Sequence, residues 1–437
     1  MECQKKEAIS HICHRLEDSE FINRHKISAT AFTRVRKLTF IIMFILILRN
    51  SVKSLQLILN EFVIDANKDY SITAGAFTKA RKKLKHTAFT ELNDDIIGIY
   101  YKDKNIKRFR GFRLLAFDGS KITLPDNSEI REKFGSKAIG NHTGKDLGEY
   151  SRATFQSCYD VLNHIAVKSI LGHGSSYEVD LAEEMIPSLT SDDLSIYDRG
   201  YASYPFMARL IKEKKHFIIR CPKSSFTAVQ NMFEHDAPES MTVLIDVSYK
   251  HKKEVKKLGL PSTIKIRLIR IILSSGEIEV LATSLLDETI FSPNDFCYLY
   301  SLRWGVETFF SKVKGRLALE NFTGKSVESI YQDFWSTVFI SNLETIMIED
   351  IEEKMNAKKT SENKKQKINK AVSFNVIKNM AFEIFFTEPD KDKINEKLTQ
   401  LFIMNPITVR ENRKIPRKKI SDTQSLNYQK RARKHVF

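Results

Sequence analysis

The segment 300–314 carries side chains whose types and spacing suit phosphate and metal chemistry. If the segment is one α-helix, four of them share a stripe about 60° wide: Tyr300, Arg303, Glu307 and Lys314. The apolar residues of the segment fall on the adjoining side, so this stripe borders the buried face. A carboxylate at such a border is partly desolvated and is kept ionised by neighbouring cations. The pattern favours a metal-binding Glu307, although a surface ion pair with Arg303 is the simpler alternative.

A second carboxylate, Asp198, follows a short apolar run at 194–197, which is typical of a strand. Gly200 then allows a turn, and Pro205 lies at the start of a predicted helix. Open α/β sheets place their ligands at the carboxyl ends of strands. Asp198 is therefore a candidate site residue, and a structural aspartate in a loop leading to a helix is the alternative.

A third carboxylate, Asp118, precedes Gly119 between the apolar runs 114–117 and 122–124. Taken alone, Asp-Gly between two such runs is more typical of a hairpin turn than of a catalytic site. The local pattern therefore favours the turn.

The elements that must position these residues follow an α/β order. The first hundred residues predict helices, and from about residue 113 strands alternate with helices, as in a mixed sheet covered on its faces. A β-rich stretch predicts strands at 243–249, 263–273 and 277–283 before helices resume at 295. The sequence thus predicts a helical segment 1–105, an α/β domain split into 106–224 and 295–350, a β-rich insertion 225–294 and a basic C-terminal region 351–437.

Three motifs together resemble a known family. The spacing Tyr-x2-Arg-x3-Glu-x6-Lys in 300–314, an apolar-Asp-Gly-Ser context at 117–120 and Tyr-Asp-Arg-Gly-Tyr at 197–201 are similar to the signatures of bacterial insertion-sequence transposases of the DDE class, the insertion-sequence-four family. The resemblance covers roughly residues 25–345. It implies an α/β fold with a ribonuclease H-like mixed sheet flanked by helices, a β-rich insertion, and helical N- and C-terminal parts. In this resemblance 1–105 would be a helical DNA-binding domain, and 106–224 with 295–350 would form the ribonuclease H-like catalytic domain.

The resemblance also implies a reaction. Asp118, Asp198 and Glu307 would be the catalytic residues and would hold two Mg²⁺ ions, for which Mn²⁺ can substitute. The protein would bind the inverted-repeat ends of an insertion sequence as a homodimer. It would then cleave and transfer strands into target double-stranded DNA by a cut-and-paste mechanism, through a hairpin in some relatives. A non-catalytic DNA-binding protein and a ribonuclease H-like nuclease or resolvase are the alternatives, and the presence of all three carboxylates argues against the first.

Several further residues are candidate DNA contacts, each with a structural alternative. Tyr300, Arg303 and Lys314 would contact terminal phosphates. Trp304 would stack on an unpaired base, although a tryptophan beside an apolar face more often belongs to the core. Arg199 would contact DNA or form an ion pair. Arg81 and Lys82, near the end of a predicted helix, would contact phosphates or interact favourably with the helix dipole.

Charge and composition agree with a nucleic-acid partner. The chain has a net charge of +16, which a polyanion would offset, although a generally lysine-rich proteome gives the same excess. Residues 410–437 are strongly basic and are either a phosphate-binding tail or simply solvated. The five cysteines lack a C-x-x-C spacing, and the longest apolar run, 40–48, is too short to cross a bilayer. We therefore expect a reducing cytoplasmic location, associated with the nucleoid, and no membrane partner.

Overall fold

A computed structural model describes residues 2–34, 37–51, 53–102, 106–138, 148–273, 275–357, 365–386 and 391–409. The basic segment 410–437 of the sequence analysis lies outside the described residues.

The described chain contains eleven strands and seventeen α-helices. The strands are β1 Arg113–Thr123, β2 Ser136–Ala138, β3 Glu149–Asp160, β4 Ile165–His173, β5 Asp193–Tyr197, β6 His216–Cys221, β7 Ser240–Asp246, β8 Thr263–Ile272, β9 Ile278–Thr283, β10 Gln366–Lys367 and β11 Ile407–Thr408. The first nine helices are α1 Glu2–Glu17, α2 Ser19–His25, α3 Phe40–Leu48, α4 Leu55–Asp65, α5 Ala74–Arg81, α6 Thr87–Tyr101, α7 Ser128–Phe134, α8 Glu178–Glu183 and α9 Tyr204–Lys212. The other eight are α10 Thr227–Asn231, α11 Lys252–Lys257, α12 Pro293–Ser301, α13 Trp304–Ser311, α14 Val327–Ala357, α15 Lys370–Asn379, α16 Ala381–Phe386 and α17 Lys391–Ile403. None of these described helices is both long enough and apolar enough to cross a lipid bilayer.

The chain forms two compact units. Unit 1 consists of Met1–Asn105, Ile122–Ala153 and Ser311–Phe437, and unit 2 consists of Ile106–Lys121 and Thr154–Phe310. The predicted division into 1–105, 106–224, 225–294, 295–350 and 351–437 stays a prediction.

Unit 2 is built on a mixed sheet. Its strands follow the order β4-β3-β1-β5-β6-β9-β8-β7. β1, β5 and β6 run parallel, and β9, β8 and β7 continue antiparallel. An apolar cluster that includes Phe117, Tyr197 and Phe206 fills the space between strands and helices. The α/β class with a mixed sheet flanked by helices, and the β-rich insertion, are confirmed.

Unit 1 is mainly helical. The 31-residue helix α14 packs against α6, α3 and α1, and most of its residues are buried. Phe44 of α3 stacks on Phe89 of α6 with ring centroids 4.4 Å apart, and it meets Phe339 of α14 edge-on. The short strand β2 pairs antiparallel with the first residues of β3. The expected helical N- and C-terminal parts are therefore present.

Two local expectations are wrong. Asp118 and Gly119 do not form a hairpin turn, because β1 continues through them to Thr123. The segment 300–314 is not a single helix either: α12 ends at Ser301, α13 begins at Trp304, and a π-helical turn occupies Lys312–Arg316. A wheel at 100° per residue therefore does not describe this segment from end to end.

Candidate active site

Asp118 and Asp198 lie at the same level on adjacent parallel strands. β1 pairs with β5 so that Leu114 faces Leu194 and Ala116 faces Ile196. Asp118 lies two residues after Ala116, and Asp198 lies two residues after Ile196. The backbone of Asp198 has extended dihedral angles. Because side chains alternate between the faces of a strand, this register places both carboxylates on the same face of the sheet. The pairing of two strands therefore brings together residues distant in sequence.

Asp198 is held by two neighbouring side chains. Tyr300 donates a hydrogen bond from its hydroxyl to Oδ1 of Asp198 at 3.2 Å. Arg220 of β6 places Nη2 2.9 Å from the same oxygen. Burial would raise the pKa of Asp198, but the backbone N–H of Arg199 and the guanidinium groups of Arg220 and Arg303 outweigh it and lower the pKa. Asp198 is therefore kept ionised.

Arg303 connects the other two predicted carboxylates. It lies in the turn between α12 and α13 and is only 4% exposed. Its Nη2 donates to Oε1 of Glu307 at 2.8 Å, and its Nη1 lies 4.0 Å from Oδ2 of Asp118. A single buried cation therefore interacts with both carboxylates.

The packing of α13 on β3 positions Glu307. Phe309 stacks on Tyr159 with ring centroids 4.8 Å apart, and Phe310 packs edge-on against Phe155 at 5.0 Å. Both phenylalanines are almost fully buried. Because Glu307 precedes them by less than one turn, this aromatic contact fixes the part of the helix that carries it.

A fourth carboxylate, Glu178, lies close to Asp118. Burial, together with the charges of Glu178 and Glu307, raises the pKa of Asp118 to about 7, although the guanidinium of Arg303 opposes this rise. Glu178 is the first residue of α8 and is itself half-buried. Glu178 is not among the predicted site residues, because no motif or spacing connects α8 to Asp118.

The predicted DNA-contacting residues Tyr300, Arg303 and Trp304 differ in burial and in their neighbours. Tyr300 is buried and donates a hydrogen bond to Asp198, and Arg303 is buried and donates to Glu307. Trp304 is 44% exposed, with the guanidinium of Arg303 4.7 Å from its ring centroid. Trp304 is thus not a core residue, contrary to the structural alternative.

Three other predicted contacts remain accessible to different degrees. Arg199 and Lys82 are exposed, and within the described residues neither side chain forms an ion pair. Lys314 belongs to unit 1 and is half-buried in the π-helical turn. Its burial lowers the pKa of its ammonium, while Glu320 opposes that change.

Arg81, for which the sequence predicts a DNA contact, forms contacts within unit 1. Its side chain is 95% buried. Nη2 lies 2.7 Å from Asp333 and 2.9 Å from the carbonyl oxygen of Ser329, and Nε lies 2.6 Å from Gln332. These contacts attach α5 to α14 and leave the guanidinium unavailable to a ligand.

The donor set suits a hard divalent cation. The ligands available are carboxylate oxygens, the type that Mg²⁺ prefers. The side chains of Asp118, Asp198 and Glu307 are 19, 31 and 35% exposed, so each is desolvated yet reachable. Across the described ranges, no three Asp, Glu, His or Cys side chains are already arranged as a metal site. Arg303 supplies the neutralising charge in this arrangement.

Comparison with known families agrees with this geometry. The sequence profile of the Transposase DDE domain family matches residues 110–343, more than half of the chain. The chain belongs to this family. The matched stretch of this DDE-domain protein includes Asp118, Asp198 and Glu307, and the resemblance proposed from the motifs is confirmed.

Individual relatives of this DDE-domain protein are distant. Transposase InsG for insertion sequence element IS4 of Escherichia coli (strain K12) is 23% identical over 288 residues, which are 65% of this chain and 62% of that protein. The putative transposase InsZ of the same organism is 23% identical over 122 residues, 28% of this chain and 38% of that protein. The chain therefore spans less than two thirds of the length of either curated relative. A piggyBac transposase synaptic complex with hairpin DNA aligns with 11% identity and a TM-score of 0.45 over 90% of this chain and 85% of that one.

Proposed function

We propose that the protein is a transposase that binds the inverted-repeat ends of an insertion sequence and cuts and joins double-stranded DNA by a cut-and-paste mechanism. One observation carries the proposal: the β1–β5 register sets Asp118 beside Asp198 on one face, and Arg303 links Asp118 to Glu307. Membership of the DDE-domain family supports the same assignment.

In this proposal Asp118, Asp198 and Glu307 hold two Mg²⁺ ions, with Mn²⁺ as a substitute. Bound there, the ions would make an attacking oxygen nucleophilic and neutralise the leaving oxygen. The protein's own groups prepare the site: Tyr300 and Arg220 orient Asp198 and keep it ionised. Arg303 offsets the repulsion between Asp118 and Glu307, and it stays, with Tyr300, a proposed phosphate contact.

We also propose a DNA-binding surface in unit 1. A cavity of about 710 Å³ lies between α5 and residues 30–34 and 37–38. Its lining includes Arg34, Lys37, Lys79 and Lys83, and among the described residues none of these four pairs with an acidic side chain. Cations that lack an acidic partner and surround a concave surface fit the phosphates of a DNA backbone. We call these four residues the basic groove.

The remaining DNA contacts and the assembly complete the proposal. Trp304 is exposed next to the carboxylates and is available to stack on an unpaired base. Arg199, Lys82 and Lys314 stay proposed phosphate contacts. Each chain would have one active site, formed by the three carboxylates, whereas an insertion sequence has two ends. We therefore propose that a homodimer binds both ends together and joins them to target DNA.

The decisive experiment uses the full-length protein with Mg²⁺ and DNA carrying paired inverted repeats. We expect cleavage and strand transfer by the wild type. Asp118→Asn, Asp198→Asn and Glu307→Gln should each abolish both, while binding to the ends persists. Glu184→Gln, an exposed carboxylate on α8's C-terminal side, is the matched control and should behave as wild type.

Other results point to the alternatives. Nicking without strand transfer would favour a nuclease or resolvase, and a mobility shift without cleavage a non-catalytic DNA-binding protein. Residual cutting by all three variants would show that the carboxylates are not the active site.

A further inference from the structure

The loop that leads into α8 is anchored on β1. Nζ of Lys121 donates to the hydroxyl of Thr154 at 2.6 Å, and to the carbonyl oxygens of Gly174 at 3.1 Å and Ser176 at 3.2 Å. Lys121 lies three residues after Asp118 on the same strand. This anchor fixes the start of α8, and therefore Glu178, close to the part of β1 that carries Asp118.

Gly119 provides the space for Glu178. A Cβ built on Gly119 would lie 2.5 Å from Cγ, 2.6 Å from Cδ and 2.8 Å from Oε1 of Glu178. These distances are far below van der Waals contact, so the Glu178 carboxyl group covers the residue next to Asp118. Gly119 lies within a β-strand, where any residue can adopt the backbone conformation. Glycine is required here because a side chain would collide with Glu178.

The charge of Glu178 is not balanced by a close cation. Within the described residues, no Lys, Arg or His nitrogen pairs with its carboxylate, and Lys121 acts only at longer range. Its electrostatic neighbours include Asp118 and Asp198, both acidic. Half-buried charges of the same sign are costly unless a cation compensates them.

The other acidic residues of α8 have different surroundings. Glu183 pairs with Arg209 at 2.7 Å, and Asp180 is exposed. The approach to β1 is therefore specific to Glu178 and is not a general property of an acidic helix.

We propose that Glu178 is a fourth carboxylate of the metal site, placed over Gly119 to ligate a divalent cation together with Asp118. This inference rests on the proposed function, because it extends the same site by one residue. It also explains the glycine at position 119, because only glycine leaves room for the Glu178 side chain next to Asp118.

The test measures Mn²⁺ binding to the full-length protein without DNA, by electron paramagnetic resonance or calorimetry, so that the readout is separate from activity. We expect Glu178→Gln to weaken Mn²⁺ binding about tenfold, of the size found when groups around a metal are removed. Asp118→Asn is the positive control and should also weaken binding. Asp180→Asn, on the same helix, is the matched control and should bind as wild type. Thermal melting without metal confirms that each variant is folded.

The outcomes separate this inference from the proposed function. If Glu178→Gln binds Mn²⁺ as wild type while Asp118→Asn does not, the fourth ligand is overturned and the three-carboxylate site stands. If neither substitution changes binding, both proposals fail.

Gly119→Ala gives an independent check of the packing argument. Its methyl group would displace the Glu178 carboxyl group and should weaken Mn²⁺ binding about as much as Glu178→Ala. The double variant should be no weaker than either single variant, because both remove the same ligand. Additive losses would overturn the role that we assign to Gly119.

Discussion

The hydroxyl of Tyr300 donates a hydrogen bond to Asp198 over 3.2 Å. The spacing of segment 300–314 suggested a phosphate contact for this tyrosine, but the structure places it against the second aspartate of the site. Its task is then to hold a carboxylate in position.

Tyr300→Phe tests this role. Loss of a hydrogen bond to a charged group should slow cleavage of bound DNA about tenfold or more, while affinity for the ends stays unchanged. Single-turnover cleavage and equilibrium binding distinguish the two effects. Tyr298→Phe, an exposed tyrosine of the same helix, should change neither. Weaker end binding with an unchanged cleavage rate would indicate a phosphate contact instead.

Asp118 makes stability without metal depend on pH. Its pKa of about 7 is above the usual value, so the protonated form is favoured in the folded state. The stability associated with this group is therefore full at low pH and is lost as the pH rises through about 7. Asp118→Asn should raise the melting temperature by several degrees at pH 8 and by clearly less at pH 5. A gain of equal size at both pH values would show that the carboxylate charge is not the cause.

Arg81 and Lys82 are adjacent basic residues with opposite expected behaviour. Arg81→Met leaves Asp333 buried without its partner and should cost about 3–5 kcal/mol of unfolding free energy. Lys82→Met changes an exposed side chain at the end of α5 and should cost less than about 0.5 kcal/mol. Denaturant unfolding followed by circular dichroism compares them. Equal stability of the two variants would contradict the structural role of Arg81.

The basic groove should control the salt dependence of DNA binding. Replacing both Lys79 and Lys83 by glutamine should weaken binding and reduce the slope of log affinity against log salt by about 2. Lys53→Gln is a control in the same unit, because Lys53 is already paired with Glu61. Affinity measured between low and moderate salt gives the slope. An unchanged slope in the double variant would remove the groove from the DNA-binding surface.

Much of the sheet was predictable because its signals are local. The strand before Asp198 is a short apolar run that ends at a polar turn, and the structure places β5 there. The strands of the β-rich insertion were likewise recognisable from their β-branched residues. These features depend only on neighbours in the sequence.

The rest required contacts between distant segments. Asp-Gly at 118–119 reads as a turn until β1 is paired with β5. The ion pair of Arg81 depends on Asp333, 252 residues away, and no local pattern shows it. The position of Glu178 over Gly119 depends on how a loop is anchored. In each case, packing overrides a reasonable local interpretation.

The parallel pairing of β1 with β5 has a consequence for damaged copies of the gene. Alternation along a strand has a period of two, so a one-residue slip sends each side chain to the opposite face. Suppose that a single codon between Arg113 and Asp118 is lost and that the β1–β5 pairs before the deletion are kept. The carboxylate of Asp118 would then point to the opposite face of the sheet from Asp198. Under the proposed function, such a deletion would abolish activity without changing any acidic residue, and a survey of acidic positions alone would count that copy as intact.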